Sequence, residues 1–424
     1  MWFKLGTMLL ILVFCGLTMA TNLDKYEGYY KYTVFHNGED VFNHMVQLQT
    51  VDENLDFWLL TRNMSIISVS PTVQPFLETR LKKLRVPYVA KPLMEEMSAF
   101  TQNVTDTECD NSECTLSRSK RQARGVFGHF PRYSEILNYM SALASRNPQY
   151  CRYESLGRTH EGRHVAGLSI SLNSQLRPRR VAYVQGGTHG REWITPLAVL
   201  YLANELLNNL RAFQSVLQDT EIYVVPLVNP DGYEYTHTRD RFWRKNRHHY
   251  GGRSCVGVDI NRNFANNWNY RGASQNLCSE VYSGTSPGSE AETSAVARYL
   301  SANRHRVKLS LDVHSFGKYI FYPYGYSRNA LAPTRNLLHS VAQRAATQIA
   351  KYRGTRYSVG TSAGILYEAS GGLDDYAYGN LGIPMSFTLE LPGENFQVAQ
   401  SDIIHICKET FAGLIEFIRH VSLY

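Results

Sequence analysis

Apolar residues recur along this chain with two periods, and the alternation between them outlines a fold. Residues 181–185, 222–228, 307–314 and 384–391 are nearly continuous apolar runs of strand length. Residues 131–146, 192–210, 289–302, 334–352 and 402–421 instead carry apolar side chains at helical spacing. Strands apolar along their whole length are buried on both faces. The pattern therefore predicts an α/β fold, with a mixed, mainly parallel twisted sheet flanked by helices. Upstream lie short apolar stretches at 29–36, 41–48, 55–60 and 64–69, a helically spaced segment at 73–84 and a strand-like one at 86–89. That mix predicts a small α+β unit with an antiparallel sheet, preceding the larger one. There is no internal repeat.

At 424 residues the chain exceeds one ordinary core, and its composition shows where it divides. Residues 1–20 read as a secretory signal. Lys4 supplies the positive start, residues 9–17 the apolar centre and Thr18-Met19-Ala20 the small-residue cleavage site. Residues 21–100 form the small unit and 101–124 a polar linker, leaving 125–424 for the larger domain. The linker ends in a basic cluster containing Arg118, Arg121 and Arg124, any of which suits a trypsin-like processing protease. Signal, small unit and basic linker together predict a secreted, extracellular zymogen, with a monomer as the expected state. Sequons at Asn63 and Asn103 fit that compartment, as does the even number of cysteines, six, left when Cys15 departs with the signal. No later apolar run is long enough to span a bilayer. A formal charge of +7 is modest at this length and gives no reason to expect a nucleic-acid partner.

Candidate chemistry changes the picture most at 186–193, Gly-Gly-Thr-His-Gly-Arg-Glu-Trp, where a strand hands over to a helix. If this run opens the helix, His189 and Glu192, three residues apart, face the same way. One nitrogen and one oxygen donor suit a borderline dication such as zinc. His314, at the end of the strand pattern 307–314, is a third donor. Three protein ligands with one open position is the catalytic zinc pattern, whereas structural sites are closed by four and usually carry cysteines. The cysteines here form no CxxC pair. A hydrolase also needs a base. Glu390, near the end of an apolar strand, is the candidate, since a carboxylate there is costly unless paired or near a metal. Arginines concentrate at 241–247 and in Asp259-Ile260-Asn261-Arg262-Asn263, where forked guanidinium donors could hold a carboxylate. Asp259 could orient a metal-bound histidine.

These residues resemble the zinc metallocarboxypeptidases of the pancreatic A/B type. The resemblance rests on 189–195, 228–233 (Val-Asn-Pro-Asp-Gly-Tyr), 241–247, 257–263, His314-Ser315, 322–326 (Tyr-Pro-Tyr-Gly-Tyr) and 386–391. In the small unit it is carried by 55–58 (Leu-Asp-Phe-Trp) and 76–78. It implies one zinc ion per chain held by His189, Glu192 and His314, with Glu390 as general base and Arg244 stabilising the oxyanion. Asn261, Arg262 and Tyr367 would clamp the carboxylate of a peptide substrate with a free C-terminus, while Arg191 and Arg241 would line the approach. Cys255 and Cys278 match the family disulfide. Cys109–Cys114 and Cys151–Cys407 are then the pairings left by elimination. Gly190, Phe316 and Tyr376 depart from residues common in the family, and none occupies a role just named.

In the family, the position matched by Asp374 forms the floor of the pocket for the departing side chain. It is apolar in the A type and aspartate in the B type. An ionised carboxylate there favours C-terminal Arg and Lys. Ser362, on another wall, is small and does not decide the matter. The alternatives are an A-type enzyme releasing apolar or aromatic residues, and an inactive zinc-containing binding module. Folding alone needs neither Glu390 nor Arg244, so their presence argues against the module.

Overall fold

A computed structural model describes residues 24–51, 55–95, 97, 125–175 and 177–424. The expected signal, the sequon at Asn103, the basic cluster, and Cys15, Cys109 and Cys114 lie outside the described residues. The N-terminal unit runs β1 (Tyr30–Phe35), α1 (Glu39–Val51), β2 (Leu55–Leu60), β3 (Met64–Val69), α2 (Gln74–Leu84), β4 (Tyr88–Pro92). Its four-stranded sheet has the order β2-β3-β1-β4, with every neighbour antiparallel. The apolar stretch 41–48 lies within helix α1, because Phe42, Met45 and Leu48 fall three apart and form one buried face. They pack with Tyr32 and Val34 of β1 and with Leu77 and Leu81 of α2.

The larger unit contains α3 (Tyr133–Arg146), β5 (Cys151–Arg158), β6 (His164–Ile170), β7 (Arg180–Gly186), α4 (Ile194–Asn208), β8 (Thr220–Val225) and α5 (Pro230–Thr238). It continues with α6 (Ala291–Asn303), β9 (Val307–Ser315), β10 (Tyr319–Tyr322), α7 (Arg335–Arg353), β11 (Ser358–Thr361), β12 (Met385–Leu391) and α8 (Gln400–Arg419). The eight strands run β11-β10-β12-β9-β7-β8-β6-β5. The pairs β10/β11, β12/β9, β9/β7 and β7/β8 are parallel, and the other three are antiparallel. The mixed, mainly parallel sheet is thus present, and helices cover it, with α4, α7 and α8 packed together on one face.

The apolar pattern marked the central strands but not β5, β6, β10, β11 or the helix α5. Strand β5 is an edge strand of alternating burial with a bulge between Ser155 and Gly157. Strand β6 contains Gly167, which the ring of Tyr223 requires: a Cβ there would lie 2.8 Å from it. Strands β10 and β11 have four residues each, too short to show a period. Helix α5 is announced by caps instead of apolar spacing, with Pro230 in its first turn and the Asn229 side chain accepting from the Gly232 N–H. No helix among the described residues is long and apolar enough to cross a membrane.

Candidate metal centre and cleft

The centre sits at the carboxyl ends of adjacent parallel strands β7 and β9. Strand β7 leaves the sheet through Gly187, whose φ of +63° and a prospective Cβ only 2.5 Å from Leu227 exclude any side chain. His189 and Glu192 occupy the turn that follows, not the first turn of the helix, because α4 begins only at Ile194. The turn itself brings them together: the Glu192 N–H donates to the His189 carbonyl at 3.3 Å. His314 arrives from the end of β9. Nδ1 of His189 lies 2.7 Å from Glu192 Oε1, and Nδ1 of His314 lies 3.1 Å from Glu192 Oε2 and 3.2 Å from His189 Nδ1. All three side chains are buried, with a donor atom from each inside a 4.8 Å sphere of mutual distance.

This arrangement fits a bound dication. Both imidazoles turn Nδ1 inward and present Nε2 to a carboxylate. His189 Nε2 is 3.0 Å from Asp259 Oδ1, and His314 Nε2 is 2.9 Å from Asp312 Oδ2. Burial alone would raise the Glu192 acid, yet the two imidazoles hold it well below the usual carboxylate range. Asp259 is likewise held down against its burial, by Arg244, His189 and Arg262.

A cavity of about 130 Å³ adjoins the donors, lined among others by Arg244, Asn261, Arg262, Tyr367, Asp374 and Glu390. Arg244 forks onto Asp259 Oδ2 through Nε at 3.1 Å and Nη2 at 2.9 Å. Asn261 accepts from the Leu373 N–H at 3.0 Å, tying the arginine loop to the segment bearing Asp374. Arg262 donates to the Gly272 and Asn261 carbonyls at 2.8 Å and, through Nη2, to the Tyr367 hydroxyl at 3.1 Å. Glu390 pairs in register with His314 on the neighbouring parallel strand, which sets it beside the donors in the sheet interior. Burial, then the charge of Glu192, pushes it up to about 8 against the pull of His314. Asp374 is 8 % exposed, and its Oδ1 accepts from the backbone N–H of Asp375, at 2.9 Å. Burial raises it, and no Lys or Arg pairs with it among the described residues.

Two expected approach residues lie elsewhere. Arg191 is 1 % exposed and donates to Asp56 Oδ2 of the N-terminal unit at 2.7 Å, so its charge is already matched. Arg241 is buried over the Trp193 ring at 3.7 Å, with Nη1 donating to the Arg191 carbonyl and Nη2 to the Phe396 carbonyl. Neither lines the cavity. Two acids went unmarked in the sequence. Asp312 precedes His314 by two on a strand and so shares its face, a signal that period-two reading can supply. Glu280 lines the cavity in an irregular loop and is pushed up to about 7, chiefly by burial and then by Asp56.

The N-terminal unit forms one wall of the cleft. Gln49, Leu55 and residues 57–60 line it, and Gln49 Nε2 donates to the Tyr367 hydroxyl at 3.2 Å. Trp58 packs on the rings of Phe242 and Phe396, with centroids 4.6 and 5.6 Å away.

Cys255 and Cys278 are bonded, 23 residues apart. Cys151 and Cys407 are not: one opens edge strand β5 and the other lies in α8, each a buried free thiol. The pairing reached by elimination is therefore corrected. Burial raises both thiols, that of Cys151 to about 12. Replacing Cys255 and Cys278 by serine is expected to cost about 3 kcal/mol of stability, read from denaturant unfolding, because the 24-residue loop they close regains its freedom.

Three buried nitrogen and oxygen donors, a nearby carboxylate and a cluster of arginines at the strand ends define a metallohydrolase of the mononuclear kind. Comparison with known proteins narrows this. The zinc carboxypeptidase family matches residues 136–413. Carboxypeptidase B of Rattus norvegicus is 32% identical over 415 residues, 96% of this chain and 97% of that protein. Carboxypeptidase A2 of Mus musculus is 31% identical over 405 residues, 92% of each. The crystal structure of carboxypeptidase A from Helicoverpa armigera superposes with a TM-score of 0.86 at 29% identity, covering 94% of this chain and 98% of that one. The chain belongs to the zinc carboxypeptidase family and is a metallocarboxypeptidase with that family's α/β fold.

Proposed function

We propose that this chain is the secreted zymogen of a carboxypeptidase that releases C-terminal Arg and Lys. Relatives of both A and B type match it, so specificity rests on its own residues, and one observation carries the B-type reading. The Asp374 carboxylate lines the cleft, is buried and has no Lys or Arg ion-pair partner among the described residues, a cost that an entering guanidinium or ammonium would relieve. His189, Glu192 and His314 would hold the zinc. The ion would supply Lewis-acid polarisation of the scissile carbonyl. Glu390 takes the proton of the attacking water and delivers it to the leaving amine. Arg244, aimed into the cleft by Asp259, stabilises the developing oxyanion. Asn261, Arg262 and Tyr367 receive the terminal carboxylate. A buried guanidinium left without that partner is penalised, so internal peptide bonds are disfavoured.

The N-terminal unit would keep the cleft closed until a trypsin-like protease cuts the basic cluster at 118–124. Its docking through Asp56–Arg191, Gln49–Tyr367 and Trp58 supports this reading. The expected signal and sequons support secretion of the zymogen, for which a monomer is the expected state. The test compares peptides ending in Arg and in Phe before and after trypsin. Activity should appear on cleavage and favour Arg. A Phe preference would instead assign the A type, and equal activity before cleavage would remove the zymogen. Asp56→Ala leaves the buried Arg191 without its counter-ion, so docking should weaken by about 3 kcal/mol. The uncut variant is expected to show higher residual activity than the uncut wild type.

A further inference from the structure

Strand β9 buries an acid among apolar residues. Asp312 is 1 % exposed, in the sheet interior between Gln185 of β7 and Thr388 of β12. No Lys or Arg pairs with it among the described residues, and a lone buried carboxylate is costly. Its polar neighbours form a chain. The Tyr183 hydroxyl donates to Gln185 Oε1 at 2.8 Å, and Gln185 Nε2 donates to Thr188 Oγ1 at 3.1 Å. Thr188 in turn donates to Asp312, at 3.1 Å to Oδ1 and 3.4 Å to Oδ2. Tyr183, Gln185 and Thr188 are each fully buried. Every donor in this chain points toward Asp312, so the carboxylate remains an acceptor for whatever else it meets. What it meets is Nε2 of His314, 2.9 Å from Oδ2, with the N–H off the line of the contact and no other acceptor aligned on it.

We infer that Asp312, fixed by the chain Tyr183–Gln185–Thr188, is a positioning residue for the third zinc ligand: it takes the Nε2–H of His314 and so keeps the Nδ1 lone pair facing the ion. Two features make this more than an isolated contact. The residues at 312 and 314 share one face of the strand, so the acid cannot avoid the ring. Thr188 is the residue before His189, so one hydrogen-bonded chain ties the support of His314, at the end of β9, to the turn after β7 that carries His189. His189 has its own partner in Asp259, and each imidazole is then backed by a separate carboxylate.

The inference rests on His189, Glu192 and His314 being the zinc site, and the test separates the two. Full-length protein is stripped of metal, and the zinc dissociation constant is measured by competition with a chromophoric chelator, without substrate. Asp312→Asn keeps the shape and removes the acceptor charge. It should weaken zinc about 10- to 100-fold, as loss of such outer partners typically does. It should also shift the visible spectrum of the cobalt-substituted protein, which a change in global stability alone would not do. Asp312→Glu should recover part of the affinity. Thr188→Val keeps Asp312 but frees it, and should weaken zinc at least about three-fold. This second variant decides the matter if Asp312→Asn does not fold. Wild-type affinity and an unchanged cobalt spectrum in the folded variants would overturn the role. His314→Ala is the control: if it too bound zinc as tightly as wild type, the metal site itself would be misassigned.

Discussion

Glu390→Gln is expected to lower kcat/KM by roughly 10²- to 10⁴-fold, the range associated with loss of a general base. Zinc should remain bound at one ion per chain, because Glu390 is not among the three converging donors. The substitution is nearly isosteric and the side chain sits at the end of an interior strand, so the fold should survive it. Steady-state kinetics with metal analysis of the same sample checks both halves. Turnover near the wild-type rate would remove Glu390 from the reaction. Loss of zinc would mean that it helps hold the ion.

The second large effect is expected at Asp374. Replacing it by Asn keeps the volume and the backbone bond to Asp375 but removes the charge from the cleft. A desolvated ion pair broken from one side costs about 2–5 kcal/mol, so kcat/KM for peptides ending in Arg should fall roughly 30- to 4,000-fold. Peptides ending in Phe should be unaffected or gain, because an apolar ring no longer faces a buried acid. The ratio of the two specificity constants is the measurement. A ratio that does not move would show that Asp374 takes no part in selecting the departing residue.

Particular elements show how far the residues alone could lead. Strands β2 and β3 and the ends of β9 and β12 were legible because their apolar runs are bounded by polar turns. The three metal donors were legible as residue types at the ends of such runs. Their local geometry was not: whether His189 and Glu192 ride on a helix or precede it depends on Gly187 turning the chain. The family resemblance implied that Arg191 and Arg241 line the approach. Their partners, Asp56 and the Phe396 carbonyl, lie 135 and 155 residues away, and only tertiary packing brings them in. Cys151 and Cys407 illustrate the same point, since counting cysteines cannot reveal which are close enough to bond. Asp312 was hidden differently: a single acid in an apolar strand reads as an exception until its burial is known.

The Tyr367 hydroxyl bridges Gln49 of the N-terminal unit and Arg262 of the arginine loop. One group thus serves two masters, and thermodynamic reciprocity follows. On the proposed reading, a peptide terminus that accepts from Arg262 and Tyr367 must enter the cleft beside Gln49, which donates to that same hydroxyl. Whatever free energy the docked unit subtracts from ligand affinity, the ligand subtracts equally from docking. On the same reading, free lysine or arginine accumulating as product would loosen the docking of the N-terminal unit on the uncut precursor.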